Sequence, residues 1–458
     1  MAESNVIAPI FRWANWWIAD DIFTWIENSY FSSKNIEIRE NARWISLSKK
    51  LVQATSATST IYTIIKVSST LYVAFWDSAT CKKQKNWNWS NVTLSWVSGV
   101  IVSSAVFNDY VYFATTTKLY KVSISDINSN ASVTPTEVTT LVNHWQHPML
   151  VSMWDLYVGN GEKLWKVDLA GVYSDIFTLE KWWIITKLND LWWAIRVTTQ
   201  SALWNSNIYL WDWVAKEPDQ TVPLTWYVIY QVMIYNGYPY LITNRWLGIL
   251  DWYKIYPLKK CADFANIQNW IWVYNERLVI AWKKGVYSRW AKNKNYNEVL
   301  SYDYELTTEW AEVTAIYSDW IELFVARKTS WAGATYWIDK LSSTNYNTQW
   351  ELITRWYYAN SLIEIKDWIL ARLWYSQLRA WETIKIYYSI NGWDFTLLRT
   401  IDKDTDTVES FTEDLFVRDR FQYIQFKFEL ILDSLTADLT KTPSIYALDF
   451  IFNNNVQR

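Results

Sequence analysis

The sequence predicts an all-β fold: a seven-bladed β-propeller, with six or eight blades left open, followed by a C-terminal β-sandwich. Three observations carry this. Short runs rich in Val, Ile, Tyr, Phe and Thr, broken by polar turns, dominate all 458 residues, and long helical periodicity is almost absent. A hairpin unit then recurs at a regular spacing. Finally, that spacing stops near residue 355 while the strand-like pattern continues.

The recurring unit is an apolar strand, a two-residue polar turn, and a strand carrying Leu, Tyr or Val. Its copies are KVSSTLYVAF, AVFNDYVYFA, VSMWDLYVGN, TKLNDLWWAI, MIYNGYPYLI, WVYNERLVIA and IYSDWIELFV. The second turn residues are Ser69, Asp109, Asp155, Asp190, Gly237, Glu276 and Asp319, with a mean spacing of about 42 residues. Four strands of about six residues plus turns fill that length, which is the propeller period. Residues 54–354 are therefore expected to form the propeller.

Residues 1–53 precede it as an N-terminal arm. Within them RWISLSKKLV (43–52) is a candidate strand to close the ring, since an open first or last blade would expose a sheet edge. Residues 355–458 hold about six strand-like segments, among them IEIKDWILARL (363–373) and IKIYYSI (384–390), and suit a compact sandwich.

The composition is unusual in one respect. There are 36 Trp and 9 Gly, where roughly 32 Gly would be typical for this length. Trp follows Asn or Asp at Trp16, Trp87, Trp89, Trp213, Trp252, Trp270, Trp320 and Trp368. Asn-Gly and Asp-Gly are strong hairpin signals because the turn needs positive φ. A bulky residue has no such logic. Trp is expected to stand where many glycines belong, as when a gene that reads UGA as Gly is translated with UGA as Trp. The rival is a Trp-rich sugar-binding surface.

Net charge is −3, so no basic field implies nucleic acid. Cys81 and Cys261 are too few and too distant to indicate a disulfide framework. The opening MAESNVIAPIF lacks the basic and apolar regions of a signal peptide. No apolar run reaches the length of a membrane span. A soluble chain made in a reducing cytoplasm is expected.

Chemistry-bearing motifs are few. His144 and His147, in NHWQHP, are the only histidines. An inter-blade loop is the preferred reading over a metal site. No phosphate loop, dinucleotide fingerprint or nucleophile elbow is present. In DKDTDTVESFTE (402–413), Asp402, Asp404, Asp406 and Glu413 occupy positions 1, 3, 5 and 12 of a calcium loop. Thr407 replaces the glycine of position 6, Glu409 replaces an apolar residue, and the flanks read as strands. A solvated acidic loop without metal is expected. YSINGWDFTLL (388–398) resembles one Asp-box, a structural hairpin of sialidases, and carries no catalytic weight. No catalytic, cofactor-binding or metal-binding residue is assigned, and no cofactor is implied.

Three segments together resemble tailed-bacteriophage virion proteins. The opening PIFRWANWWIADDIFTWIENSYFSSKNIEIRENARWISL resembles the start of many of them, with Trp13, Trp16, Trp17 and Trp44 where that family has glycines. IKIYYSINGWDFTLLRTI resembles a hairpin of their C-terminal sandwich, and FKFELILDSLTADLTKTPSIYALDFIF their final strands. The resemblance covers about 150 residues at the two ends. It implies a non-enzymatic virion structural protein of the tail or head–tail connector, made in the host bacterial cytoplasm and assembled as a homo-oligomer with other virion proteins. The rivals are a tail-tip adhesin binding host surface glycans, which needs a pocket of Tyr and Phe, and a propeller glycosidase, which needs two carboxylates about 5–10 Å apart.

Overall fold

The computed structural model describes residues 5–11, 30–37, 46–76, 80–86, 88–191, 193–203, 205–251, 254–260, 271–290, 299–306, 311–329, 333–354, 356–357, 366–402, 412–415, 420–433 and 438–454. The chain is all-β and rich in four-stranded antiparallel sheets. It divides into two compact units.

One unit comprises Val52–Gly285 and Leu306–Lys340. Its sheets, numbered in chain order, are meanders. Sheet 1 runs through Thr63–Ser68, Leu71–Phe75, Thr80–Lys85 and Asn88–Leu94, with Ser132–Val133 added in parallel at its edge. Sheet 2 uses Ile101–Phe107, Tyr110–Thr115, Lys118–Ser123 and Thr136–Thr140. Sheet 3 uses Met149–Ser152, Asp155–Asn160, Lys163–Val167 and Tyr173–Thr178. Sheet 4 uses Trp183–Asp190, Ile195–Ser201, Ser206–Trp211 and Asp219–Leu224. Sheet 5 uses Ile229–Tyr235, Tyr238–Thr243, Trp246–Asp251 and Lys254–Lys260. Sheet 6 opens with the hairpin Ile271–Tyr274 and Arg277–Trp282. Sheet 7 joins Ala311–Ser318, Leu323–Thr329 and Tyr336–Tyr346 to Lys49–Ala57, which supplies its fourth strand from the other end of the sequence.

Five of the seven expected turn residues, Ser69, Asp109, Gly237, Glu276 and Asp319, lie between the first and second strands of these sheets, whereas Asp155 opens the second strand of sheet 3 and Asp190 ends the first strand of sheet 4, where cross-strand pairing continues past the polar residues. Four turns between first and second strands place two successive residues at positive φ: Asn108-Asp109, Met153-Trp154, Asn236-Gly237 and Asn275-Glu276. That backbone matches the twist of the flanking strands. The second turn is fixed differently. In sheets 2 and 5 a hydroxyl at the end of the second strand, Thr115 or Thr243, accepts from the backbone N–H three residues on.

The first strands touch in a cyclic order: 63–68 with 101–107, then 149–152, 183–190, 229–235, 271–274 and 311–318, which returns to 63–68. Apolar clusters fill the spaces between successive sheets. Val73, Phe75, Val111 and Phe113 lie between sheets 1 and 2; Ala114, Leu119, Leu156 and Val158 between sheets 2 and 3; Tyr72, Ala74, Phe324 and Ala326 between sheets 7 and 1. Sheets covered on both faces explain why second strands such as Leu71–Phe75 are buried throughout. A short helix, Ile124–Ser129, follows the third strand of sheet 2 and is capped by the Ser123 hydroxyl. The Lys83 ammonium of sheet 1 donates to the carbonyls of Ile127, Asn128 and Asn130 at its C-terminal end.

The other unit comprises Met1–Leu51, Val286–Glu305 and Leu341–Arg458. The expected boundary at 354/355 thus falls earlier, between Lys340 and Leu341, and N-terminal residues join the C-terminal ones. The reason is visible in Gln349–Thr354. Trp350, Leu352 and Thr354 are buried on one face of that strand, and Trp350 and Leu352 enter the C-terminal core. One sheet contains Tyr30–Lys34, Gln349–Thr354, Ile424–Leu432, Glu382–Ile390 and Thr396–Asp402 in that order. A second contains Asn5–Phe11, Ile445–Asn454, Lys366–Tyr375 and Thr412–Leu415. One apolar core includes Ile386, Phe426 and Phe428 from the first and Leu373 and Leu448 from the second. No helix among the described residues is long and apolar enough to cross a membrane.

Candidate functional site

Where the first strands converge, the ladder is interrupted in the same way several times. Register shifts fall between Ile101 and Ser103, Ile185 and Lys187, Ile229 and Gln231, and Val313 and Ala315. Each is one extra residue: Val102, Thr186, Tyr230 and Thr314. They recur at one or two times the hairpin spacing. A β-bulge re-aims the side chains beside it, and here it brings polar groups into a common cavity of about 60 Å³. The lining residues are Thr63, Ser103, Ser104, Gln146, Pro148, Met149, Thr186, Lys187 and Tyr230.

Among the described lining residues hydroxyls dominate, with one amine and no carboxylate. Burial pushes the Lys187 ammonium down to about 8. Two of the hydroxyls have fixed partners: Ser103 donates to the His147 carbonyl at 2.5 Å, and Thr186 donates to the Thr198 carbonyl at 3.2 Å. The Thr63 and Ser104 hydroxyls lie 3.0 Å apart. The Gln146 Oε1 is buried without a hydrogen-bond partner.

Around the same ring, polar links join each first strand or its turn to the next or, at His147, to the connection leading into it. Thr63 meets Ser104, and Ser103 reaches His147, as above. The Ser152 hydroxyl donates to the Asp190 carboxylate at 2.6 Å. The Asn189 amide donates to the Val232 carbonyl at 2.7 Å. Gln231 clamps the Ile271 backbone, donating to its carbonyl at 3.2 Å and accepting from its N–H at 3.1 Å. The Asn275 N–H donates to the Trp320 carbonyl at 3.3 Å. Asp319 then pairs with Lys66 and accepts from the Tyr72 hydroxyl at 2.6 Å. Burial pushes the Asp319 carboxyl up, but the hydrogen bonds from Lys66 and Tyr72 outweigh it and hold the group below its usual range. The circuit is closed.

The two histidines lie in the connection between sheets 2 and 3. The His147 ring is fully buried, with Nδ1 3.1 Å from the Gly159 carbonyl and Nε2 3.3 Å from the Thr116 carbonyl. His144 Nδ1 accepts from the Gln146 N–H at 3.1 Å. Burial lowers both imidazoles. Backbone groups therefore engage both His147 nitrogens and Nδ1 of His144. Of the acidic stretch, Asp402 ends a strand of one sheet and Glu413 lies on a strand of another. Asp404, Asp406, Thr407 and Glu409 lie outside the described residues, as do Cys261, Trp13, Trp16, Trp17 and Trp44. Cys81 is buried, which pushes its thiol up to about 12. Among the described residues no group of three His, Cys, Asp or Glu side chains converges.

The Asp-box-like hairpin turns through Asn391 and Gly392, both at positive φ. A depression of about 710 Å³ there is lined by Tyr388, Ile390, Gly392, Trp393, Asp394 and Thr396.

The cavity was not legible as a site in the sequence. Its signal, a β-branched aliphatic followed by an unpaired residue and then a polar or small one (IVS, ITK, IYQ, VTA), emerges only once the sheets are superposed in register.

No family profile matches the chain, and no curated protein matches it by sequence. Solved structures resemble it at low identity. YCF48 bound to D1 peptide matches at 10% identity and TM-score 0.48, over 68% of this chain and 98% of its own. A catalytically inactive virginiamycin B lyase from Staphylococcus aureus with quinupristin matches at 11% and 0.49, over 64% and 98%. The WD40 β-propeller domain of Doa1 matches at 10% and 0.45, over 64% and 98%.

Proposed function

We propose that this chain is a non-enzymatic structural component of a tailed-phage virion, in the tail or head–tail connector. In this reading the cyclic sheets are a seven-bladed propeller closed by Lys49–Ala57, and the C-terminal unit is a β-sandwich. The observation that carries the non-enzymatic reading is the central cavity. Pockets for drug-sized ligands span about 300–1,000 Å³, far above the 60 Å³ here, and the described lining residues include no pair of carboxylates such as a glycosidase uses. The virion assignment rests on the sequence resemblance at the two ends. The closed circuit of polar links suits a rigid assembly part.

Recoding of Gly as Trp belongs to the same proposal. Trp96, Trp154, Trp182, Trp213, Trp226 and Trp320 all have positive φ. Trp96 is 89% exposed and Trp154 81%, whereas Trp is ordinarily well buried. Trp154 occupies the turn position that Gly237 holds in sheet 5. Not every Trp fits: Trp89 and Trp368 lie within strands, and Trp76 and Trp350 fill cores.

Mass spectrometry of purified particles from the source phage tests both parts. The chain should be present in multiple copies, with Gly at position 154 in its peptides. Its absence from particles, or release of sugars from host envelopes by the purified chain, would overturn the structural reading. The adhesin reading would look to the depression at Tyr388 and Asp394, and a glycan array with the purified chain separates it.

A further inference from the structure

We infer that Arg196, Asn189 and Thr198, on the face of sheet 4 turned towards sheet 5, bind one small oxyanion that carries a proton, of the hydrogen phosphate type. This does not depend on the virion assignment.

The backbone register puts the three side chains together. Arg196 pairs directly with Asn189 across the ladder, so their Cβ atoms share a face about 4.5–5.5 Å apart. Thr198 lies two residues along the same strand and points the same way. That face is the one turned to sheet 5. The Asn189 amide donates to the Val232 carbonyl there, and Ile208, opposite Thr198, packs with Val232 and Leu241.

Each of the three carries a buried polar atom with no hydrogen-bond partner: Arg196 Nη1, Asn189 Oδ1 and Thr198 Oγ1. Thr198 is fully buried. Buried polar groups are nearly always paired, so three orphans at neighbouring positions on one face call for a common partner. The guanidinium stays charged in proteins. Burial is the one influence on its ionisation, and no neighbouring carboxylate offsets that cost. Two other charged groups lie on this face of sheet 4. Lys187, opposite Thr198, adds positive charge. Asp219 is exposed and stands two strands from Arg196, beyond Leu210.

The atom types select the ligand. Arg196 only donates. Asn189 Oδ1 only accepts, and it cannot trade places with the amide nitrogen, because Nδ2 is held on the Val232 carbonyl. The Thr198 hydroxyl does either. A ligand must therefore accept at one side and donate at another. Sulfate would set an oxygen against Oδ1. Hydrogen phosphate offers oxygens to Arg196, a charge-assisted contact, and its own hydroxyl to Asn189.

The test uses the full chain at pH 7, with sodium phosphate as probe and sodium sulfate and sodium chloride at matched ionic strength as controls. Isothermal titration with phosphate should saturate one site, and the unfolding temperature should rise with phosphate and not with chloride. Sulfate should bind at least about tenfold more weakly, the cost of opposing an unpaired acceptor. Arg196→Met should raise the phosphate Kd by at least about tenfold. Thr198→Val keeps the shape and removes an unpaired hydroxyl, so it should fold at least as stably as the parent and raise the phosphate Kd a few-fold. Arg196 is half-buried, within reach of an arginine-selective dicarbonyl reagent. Its protection by phosphate, mapped on peptides of the unsubstituted chain, does not depend on any variant folding. Phosphate and sulfate binding alike, an unchanged Kd for Arg196→Met, or no protection of Arg196 would each overturn the site and leave the three atoms to water alone.

Discussion

The two units bury their strands in opposite ways. In the cyclic unit, second strands are covered on both faces: Leu71–Phe75 is buried at every residue, and Leu323–Thr329 is buried from Leu323 to Arg327. In the C-terminal unit, Ile424–Leu432 alternates buried and half-buried residues from Phe426 onward, and Glu382–Ile390 begins the same way. The first pattern spreads the apolar core into separate clusters between neighbouring sheets. Among the described residues, the second gathers Ile386, Phe426, Phe428, Leu373 and Leu448 from two sheets into one cluster. Damage to that shared cluster should therefore be felt across its whole unit, while damage between two sheets should stay near them.

The largest effect is expected in that shared cluster. Phe428 is fully buried there, and Phe428→Ala should cost about 3–5 kcal/mol. Hydrogen exchange should show protection falling together in Glu382–Ile390 and Ile424–Leu432. Leu156→Ala, between sheets 2 and 3, should cost about 2–5 kcal/mol. Its loss of protection should be confined to those sheets. Equal spread of the two effects would break the comparison.

The link between sheets 7 and 1 gives a smaller effect with a pH signature. Asp319→Asn keeps the size and removes the charge that holds Lys66 and Tyr72, which should cost about 1.5–3 kcal/mol. Because the folded carboxyl lies below its unfolded value, its contribution is full above the ordinary carboxylate range. It is lost as pH falls through the lowered folded value. Urea unfolding between pH 6 and 2 should show this extra acid loss in the unsubstituted chain and not in the Asn variant.

Turn substitutions should be smaller still. Trp154→Gly relieves a bulky residue at φ 72° and should stabilise by about 1 kcal/mol, the gain from positive φ being partly offset by chain entropy. At the equivalent Gly237, a Cβ would meet nothing within 4 Å. Gly237→Ala should thus cost only the backbone strain of positive φ, about 1 kcal/mol, read as a shift in thermal midpoint. If Trp154→Gly destabilised, the indole would have to be a native contact, and the recoding proposal would lose its structural support.

Much of the sheet order was legible because hairpins announce themselves locally. Asn108-Asp109 and Asn236-Gly237 carry their turn type in two residues, and YVYFAT (110–115) coincides with its strand. Pairings between distant segments were not legible. Asn5–Phe11 pairs with Ile445–Asn454, and nothing in either segment names the other, since strand pairing is set by shared burial and not by local preference. Lys49–Ala57 was half-anticipated by the candidate segment 43–52, and the strand begins six residues later. The cavity stayed hidden because bulges break the alternation on which strand reading depends.

Lys49–Ala57 leaves the ribosome before its partner Tyr336–Tyr346, which follows some 280 residues later. At about 5–20 residues per second this is a delay on the order of 15–60 s. For that interval the strand has no finished edge to join, and sheets 1 to 5 are complete in sequence before their circle can shut. The delay leaves two open edges in the nascent chain, each a template for pairing with another copy. The entropy penalty of closing so long a loop exceeds that of a loop half its length by only about 0.6 kcal/mol, since it grows with the logarithm of length. The yield of folded protein should therefore depend on chain concentration and translation speed more than on the stability of any one sheet.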